Sequence, residues 1–181
     1  MRITGGIFKG RRLKTTPGLV TRPTTDKIRQ VIFNILMSDI DGKTALDLFA
    51  GSGALGIEAI SRGAESAVFV EIGHRQAETI RGNLRTLDLN QQVVELDYHK
   101  ACRTLSEREK QFDIIFADPP YNKFMPKDVI TAVVQYNLLA PEGFLIIEHN
   151  AGVDIMNNYM VILLNRKFGQ TEVTFYALKK D

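Results

Sequence analysis

The chain has 181 residues, 44% of them hydrophobic and 24% charged, proportions ordinary for a soluble globular protein and ample for one core. Its longest uncharged apolar runs are far too short for a transmembrane helix. The single cysteine, Cys102, and three scattered histidines, His74, His99 and His149, exclude an intrachain disulfide and offer no metal-ligand spacing. The net charge of +2 is unevenly divided. Residues 1–30 hold eight basic side chains against one acid, Asp26, giving +7 and leaving −5 for the remainder. A basic arm that meets a polyanion is one reading of that asymmetry, and a solvated, charged terminus is the other. The opening MRITGGIFKG has no apolar core region and no small-residue cleavage site, so a cytoplasmic protein is expected.

In chain order, Gly5-Gly6 and Gly10 punctuate short apolar-basic stretches and predict a small hairpin or extended segment. Pro17-Gly18 predicts a turn, and Thr24 or Thr25 a cap for a helix with Ile28, Val31, Ile32, Ile35 and Leu36 at helical spacing. Strands and helices then alternate. TALDLFA (44–50), SAVFVEI (66–72), QVVEL (92–96) and GFLIIEH (143–149) read as strands, and FDIIFADPP (112–120) as a strand with its loop. Helices are expected over 54–63, 74–89, 98–108 and 126–137. YMVILLNRKFG and TEVTFYALK, joined by a short glycine-containing link, predict a terminal antiparallel hairpin. The order implies an α/β fold: an open, mostly parallel sheet with helices on both faces, which binds ligands beyond the carboxyl ends of its strands.

The side chains at those ends carry the chemistry. The first strand runs from Asp47 through Phe49 into the loop Gly51-Ser52-Gly53, and the glycines at 51, 53 and 56 match the G-x-G-x-x-G pattern of dinucleotide sites. Asp47 opposes that reading, because a carboxylate at the loop mouth repels a pyrophosphate and attracts an ammonium or sulfonium. Glu71, twenty residues after Gly51, ends the second strand where an acid can take both hydroxyls of a ribose. Asp97 follows the third strand, as an acceptor for an adenine amino group or as an N-cap. These acids with a glycine loop describe a pocket for a nucleoside without phosphates, and S-adenosylmethionine fits it. The fourth strand leads into Asp118-Pro119-Pro120-Tyr121. The prolines supply no backbone donors, so the Asp118 carboxylate and the Pro119 carbonyl form two acceptors suited to the hydrogens of an NH2 group. Tyr121 offers a face on which a base could stack.

With these residues the chain resembles the class I, S-adenosylmethionine-dependent amino-methyltransferases, and most closely the RsmD-type family that methylates N2 of a guanine in 16S ribosomal RNA. The resemblance spans nearly the whole chain, including RITGGIFKGRRL (2–13), TRPTTDKIRQVIFNIL (21–36), LDLFAGSGALGIEAISRGA (46–64), FDIIFADPPY (112–121) and RKFGQTEVTFYAL (166–178). It implies a Rossmann-like methyltransferase domain over 21–181 behind a basic RNA-binding extension over 1–20. It also implies that Asp47, Gly51 and Gly53 line the cofactor's methionine end, Glu71 its ribose and Asp97 its adenine, with Phe49 a further cofactor-binding residue. Arg22 and Thr24 would cover the cofactor, while Asp118, Pro119 and Tyr121 hold the guanine. Arg2, Lys9, Arg11, Arg12, Lys14, Lys27 and Arg29 would grip RNA. The family usually has small residues around the third-strand acid, whereas here Leu96 and Tyr98 flank Asp97.

The implied reaction is an in-line displacement, without a metal, on a base that is flipped out or already unpaired. The partner is 16S ribosomal RNA, the 30S subunit or its assembly intermediate, and a monomer that binds no membrane is expected. Three alternatives share parts of the pattern: a DNA adenine or protein glutamine methyltransferase, a non-catalytic RNA-binding assembly factor, and an NAD enzyme on the glycine loop alone.

Overall fold

Alternating strands and helices bury apolar side chains on both faces of one sheet. The computed structural model describes residues 1–16, 26–120 and 125–179, apart from the side chain of residue 38. Helix α1 (Asp26–Leu36) is followed by a 3₁₀ turn (Met37–Ile40), then β1 (Thr44–Asp47), α2 (Ala54–Ser61), β2 (Ser66–Val70) and α3 (His74–Thr86). Next come β3 (Gln92–Val94), α4 (Tyr98–Ser106), β4 (Phe112–Ala117), α5 (Pro126–Gln135), β5 (Leu139–Asn150), β6 (Met160–Phe168) and β7 (Thr171–Leu178). The strands lie in the order β3-β2-β1-β4-β5-β7-β6. The first five are parallel, and β7 enters antiparallel between β5 and β6. This is the expected Rossmann-like class I sheet with its antiparallel hairpin. The strand order reverses between β1 and β4, which places the ligand-binding crevice at their carboxyl ends.

Side-chain alternation along β4 separates two cores. Ile114 and Phe116 join Phe33 of α1, Ile57 of α2 and Ile80 of α3 on one face. Ile115 and Ala117 join Cys102 of α4 and Val129 and Val133 of α5 on the other. Several elements end a few residues short of the sequence expectation, and the two strands nearest the site show why boundaries shift. β1 ends at Asp47 rather than 50, although Leu48 N–H still donates to the Phe116 carbonyl at 2.9 Å and Ala50 N–H to the Val70 carbonyl at 2.9 Å. β5 begins at Leu139 rather than 143, because a register shift between Phe112 and Ile114 absorbs the Ala140-Pro-Glu-Gly143 segment. Such a bulge lets a proline and a glycine enter a strand.

Every residue of α2 is buried, which an amphipathic surface helix would not show. The N-terminal segment explains this. Residues 1–13 form a hairpin, with Ile3 N–H donating to the Arg11 carbonyl at 3.0 Å, Leu13 N–H to the Met1 carbonyl at 3.0 Å, and Arg2 bridged to Arg12. The hairpin lies across α2: Ile7 N–H donates to the Ser61 carbonyl at 2.7 Å, while Ile3 and Leu13 sit in the core beside α1 and α2. Among the described residues no helix is long and apolar enough to cross a membrane.

Candidate cofactor and acceptor site

The parallel register brings the predicted strand-end residues to one edge of the sheet. Asp47 lies level with Phe69 on β2 and Phe116 on β4, so Glu71 and Asp118 each stand two residues beyond it on the neighbouring strands. Asp47 is 1% exposed, and its Oδ2 accepts the N–H of Gly56 in the first turn of α2 at 3.1 Å. Burial pushes its carboxyl from 3.8 up to about 7; the Gly56 hydrogen bond opposes that rise and the charge of Glu71 adds to it. Among the described residues no cation pairs with Asp47.

Gly51 and Gly53 have φ of +56° and +79°, so the loop between them turns in the left-handed region that side chains disfavour. Gly56 answers a different need: a Cβ there would fall 2.4 Å from Cε1 of Phe69, so α2 packs directly onto the β2 ring. Glu71 holds the loop from the next strand. Its Oε2 accepts Gly51 N–H at 2.9 Å and its Oε1 accepts Gly73 N–H at 2.8 Å. Two backbone donors therefore fix the orientation of this carboxylate at the half-buried mouth of the loop.

Asp97 is the N-cap of α4, its Oδ1 accepting His99 N–H at 3.0 Å. The capping role is thus realised at this acid, with the carboxylate still partly exposed. Of its bulky neighbours, Tyr98 turns into the core and packs against Phe49, the rings tilted by 42° with centroids 5.0 Å apart, while Leu96 remains outside. Phe49 therefore stands between the glycine loop and the start of α4. Beyond β4, Asp118 is half-buried, Pro119 buried and Pro120 exposed. Tyr121, Arg22 and Thr24, and the turn and caps expected over 17–25, lie outside the described residues.

The basic residues divide. Arg2, Lys9, Arg11, Arg12 and Lys14 on or just after the hairpin, and Lys27 at the start of α1, are exposed. From Arg11, whose guanidinium donates to the Thr86 carbonyl at 3.2 Å, the chain runs back along α3 to Thr16, whose Oγ1 lies 3.0 Å from Oγ1 of Thr79. The basic stripe therefore leads toward the sheet edge that carries the acids. Arg29, expected to grip RNA, is a correction: it is 0% exposed and serves the core. It pairs with Glu58 at 3.3 Å and Asp26 at 2.9 Å and donates to the Arg2 carbonyl. Glu58, also 0% exposed, accepts from Arg62 and from both the N–H and the hydroxyl of Thr4. This buried network and Asn83, on the inward side of α3, escaped the sequence reading. The signal in each case is a polar residue at an apolar spacing: Glu58 within ALGIEAIS, and Asn83 three residues after Ile80.

Comparison with known proteins places the whole chain. Residues 1–177 match the family model described as conserved hypothetical protein 95. A Bacillus subtilis protein provisionally named rRNA methyltransferase YlbH is 41% identical, over 97% of this chain and 98% of its own length. The ribosomal RNA small subunit methyltransferase D of Haemophilus influenzae is 33% identical, over 100% of this chain and 94% of its own. A solved Escherichia coli structure, provisionally named methyltransferase yhhF, is 31% identical with a TM-score of 0.85, covering 100% of this chain and 99% of its own.

Proposed function

The chain belongs to the RsmD-type methyltransferase family, and from that premise we propose that it transfers a methyl group from S-adenosylmethionine to the exocyclic N2 of a specific guanine in 16S ribosomal RNA. The observation that carries the proposal is Asp47, a carboxyl buried at the first turn of α2 and beside a second carboxylate, Glu71, at a left-handed glycine loop. Such a seat favours a cation and disfavours the pyrophosphate of a dinucleotide. It therefore argues against an NAD enzyme on the same glycine pattern. The residues fit the cofactor in kind. Asp47 and the Gly51–Gly53 backbone would hold its charged methionine end, Glu71 its ribose, and Asp97 with Phe49 the adenine end. When bound, S-adenosylmethionine supplies an electrophilic methyl group, which the guanine N2 takes by in-line displacement as S-adenosylhomocysteine leaves.

The protein's own part is to place and dry the acceptor. The Asp118 carboxylate and the Pro119 carbonyl accept the two N2 hydrogens. That geometry draws the nitrogen lone pair out of conjugation with the ring and aims it across the edge toward the loop. Asp118, half-buried, serves as an orienting acceptor rather than a strong base, and the surplus proton leaves through it or through water. The exposed basic side chains of the hairpin meet the RNA phosphates, and the names of the small-subunit rRNA methyltransferase relatives support RNA as the polyanion. The test is methyl transfer from labelled cofactor onto 30S subunits and protein-free 16S RNA from a strain lacking the enzyme, with the modified nucleotide mapped by mass spectrometry. Label on N2 of one guanine is expected. Label on another base or on protein, or no label on either substrate, refutes the reading.

A further inference from the structure

Asn83 is 3% exposed, and its side-chain amide joins two parts of the molecule that the proposed reaction uses separately. Its Oδ1 accepts the Lys14 N–H at 2.9 Å, and its Nδ2 donates to the Lys14 carbonyl at 3.0 Å. The other Nδ2 hydrogen goes to the carbonyl of Ser52, inside the glycine loop, at 2.9 Å. Only one orientation of the amide satisfies these contacts. Exchanging oxygen and nitrogen would set an acceptor against two carbonyls and a donor against an N–H. The pairing with Lys14 copies two rungs of a strand ladder, so the chain leaving the basic hairpin is fixed to α3 as firmly as to a sheet edge.

The glycine loop closes on itself through Gly53 N–H to the Ala50 carbonyl at 2.7 Å and enters α2 through its Gly53 carbonyl, which accepts Ile57 N–H at 2.9 Å. Its two left-handed glycines keep it out of both helix and ladder. Glu71 holds Gly51 from the strand side and Asn83 holds Ser52 from the hairpin side. A second, softer contact runs in parallel, the Ser52 hydroxyl lying 3.7 Å from the Met1 sulfur. The Lys14 backbone and the Ser52 carbonyl therefore share one buried side chain, so a displacement of either is passed to the other.

We propose that Asn83 is a positioning residue that couples the basic hairpin to the cofactor loop, so that RNA on the hairpin and cofactor in the loop strengthen each other's binding. The proposal rests on the reading that the loop holds S-adenosylmethionine and the hairpin holds ribosomal RNA. Linkage makes the effect reciprocal: whatever factor RNA adds to cofactor affinity, cofactor adds to RNA affinity.

The experiment measures the dissociation constant of S-adenosylhomocysteine, chosen to prevent turnover, with and without saturating protein-free 16S RNA. For the native chain the constant should fall by about fivefold or more when RNA is present. For Asn83→Leu, similar in volume but without polar atoms, the ratio should collapse to about one. A merely structural role for Asn83 would weaken both affinities and keep the ratio. A measurement on the native chain covers the case in which the variant does not fold. Hydrogen exchange at the Lys14 amide should slow when S-adenosylhomocysteine binds without RNA. An unchanged Lys14 amide, or a ratio preserved in Asn83→Leu, overturns the proposal. A native chain that methylates RNA yet shows equal cofactor affinity with and without it overturns the coupling and leaves the function standing. One that binds no S-adenosylhomocysteine overturns both.

Discussion

Replacing Asp47 by asparagine should stabilise the ligand-free protein at neutral and alkaline pH while disabling it. The side chain is buried beside Glu71, and burial raises its carboxyl from 3.8 to about 7. Because the folded value lies above the unfolded one, the folded state binds the extra proton between the two. The stability that this proton confers is complete below 3.8 and is lost as pH rises through about 7. At about 1.36 kcal/mol per tenfold, a rise of that size corresponds to a cost on the order of 4 kcal/mol once the carboxylate is fully ionised. An amide removes this cost, and its oxygen can still accept the Gly56 N–H now held by Asp47 at 3.1 Å. Thermal unfolding without cofactor should therefore show the Asp47→Asn variant melting about as the native chain does near pH 4, and above it by on the order of 10 °C at pH 8. Cofactor affinity should move the opposite way, falling by about 2 kcal/mol or more as the paired charge is lost. Calorimetry in buffers of different ionisation enthalpy adds a third readout: S-adenosylmethionine should displace about half a proton per native chain near pH 7, where the Asp47 carboxyl is half protonated, and none from the variant. A gap in melting temperature that does not change with pH, or binding without proton release, would refute the account of Asp47 as a cation seat.

Gly56→Ala places a Cβ 2.4 Å from the Phe69 ring, between a buried helix and a central strand. Overpacking of about 1–3 kcal/mol is expected in urea denaturation, and an unchanged midpoint would show that α2 can slide. Glu58→Ala leaves the buried Arg29 guanidinium without its core partner and should cost about 3–5 kcal/mol by the same assay; a loss under about 1 kcal/mol would mean that Asp26 alone compensates Arg29. Asp118→Ala should abolish methyl transfer while calorimetric affinity for S-adenosylmethionine stays within about threefold, and near-normal transfer would remove Asp118 from the acceptor clamp. Exchanging the exposed Lys9 and Arg12 for Gln should weaken RNA binding and flatten the plot of log affinity against log salt by about 1.4–1.8; an unaltered slope would place the phosphates elsewhere.

The acids of the site were legible because a strand-helix alternation gives each a definite address. Once the parallel sheet is recognised, Asp47, Glu71 and Asp118 must fall on one edge, whatever the loops do between them. Asp97 was ambiguous for a physical reason: an acid directly before a helix serves the backbone N–H of that helix as readily as a ligand, and here it caps α4. The basic segment was legible as a total and not by residue. Arg29 looks like its neighbours in a list of charges, yet it stands beside Ile28 and three residues before Ile32, both on the buried side of α1. Glu58, the one charge in α2, is the matching sign on the facing helix. Read together, those two misplaced charges predict a buried pair. Asn83 was hidden in the same way, since its meaning depends on a hairpin sixty-nine positions away in sequence.

That hairpin also changes what the charge asymmetry means. A +7 terminus with no structure would bind phosphates at the cost of ordering each residue it used. Here the backbone is already engaged. Thr4 is held by Glu58, Ile7 and Phe8 by Ser61, and Lys14 by Asn83, while Ile3 and Leu13 lie in the core. Arg29, the one cation drawn inside among the described residues of this basic segment, anchors the hairpin through the Arg2 carbonyl and reaches the glutamate that also holds Thr4. The exposed Arg2, Lys9, Arg11 and Arg12 therefore project from a fixed frame, and only their side chains remain to be ordered when they meet phosphate. On the proposed function, a fixed frame would also fix the distance between the phosphates it grips and the strand edge with Asp118, and the base would be selected by where the RNA backbone is held as well as by what the clamp accepts.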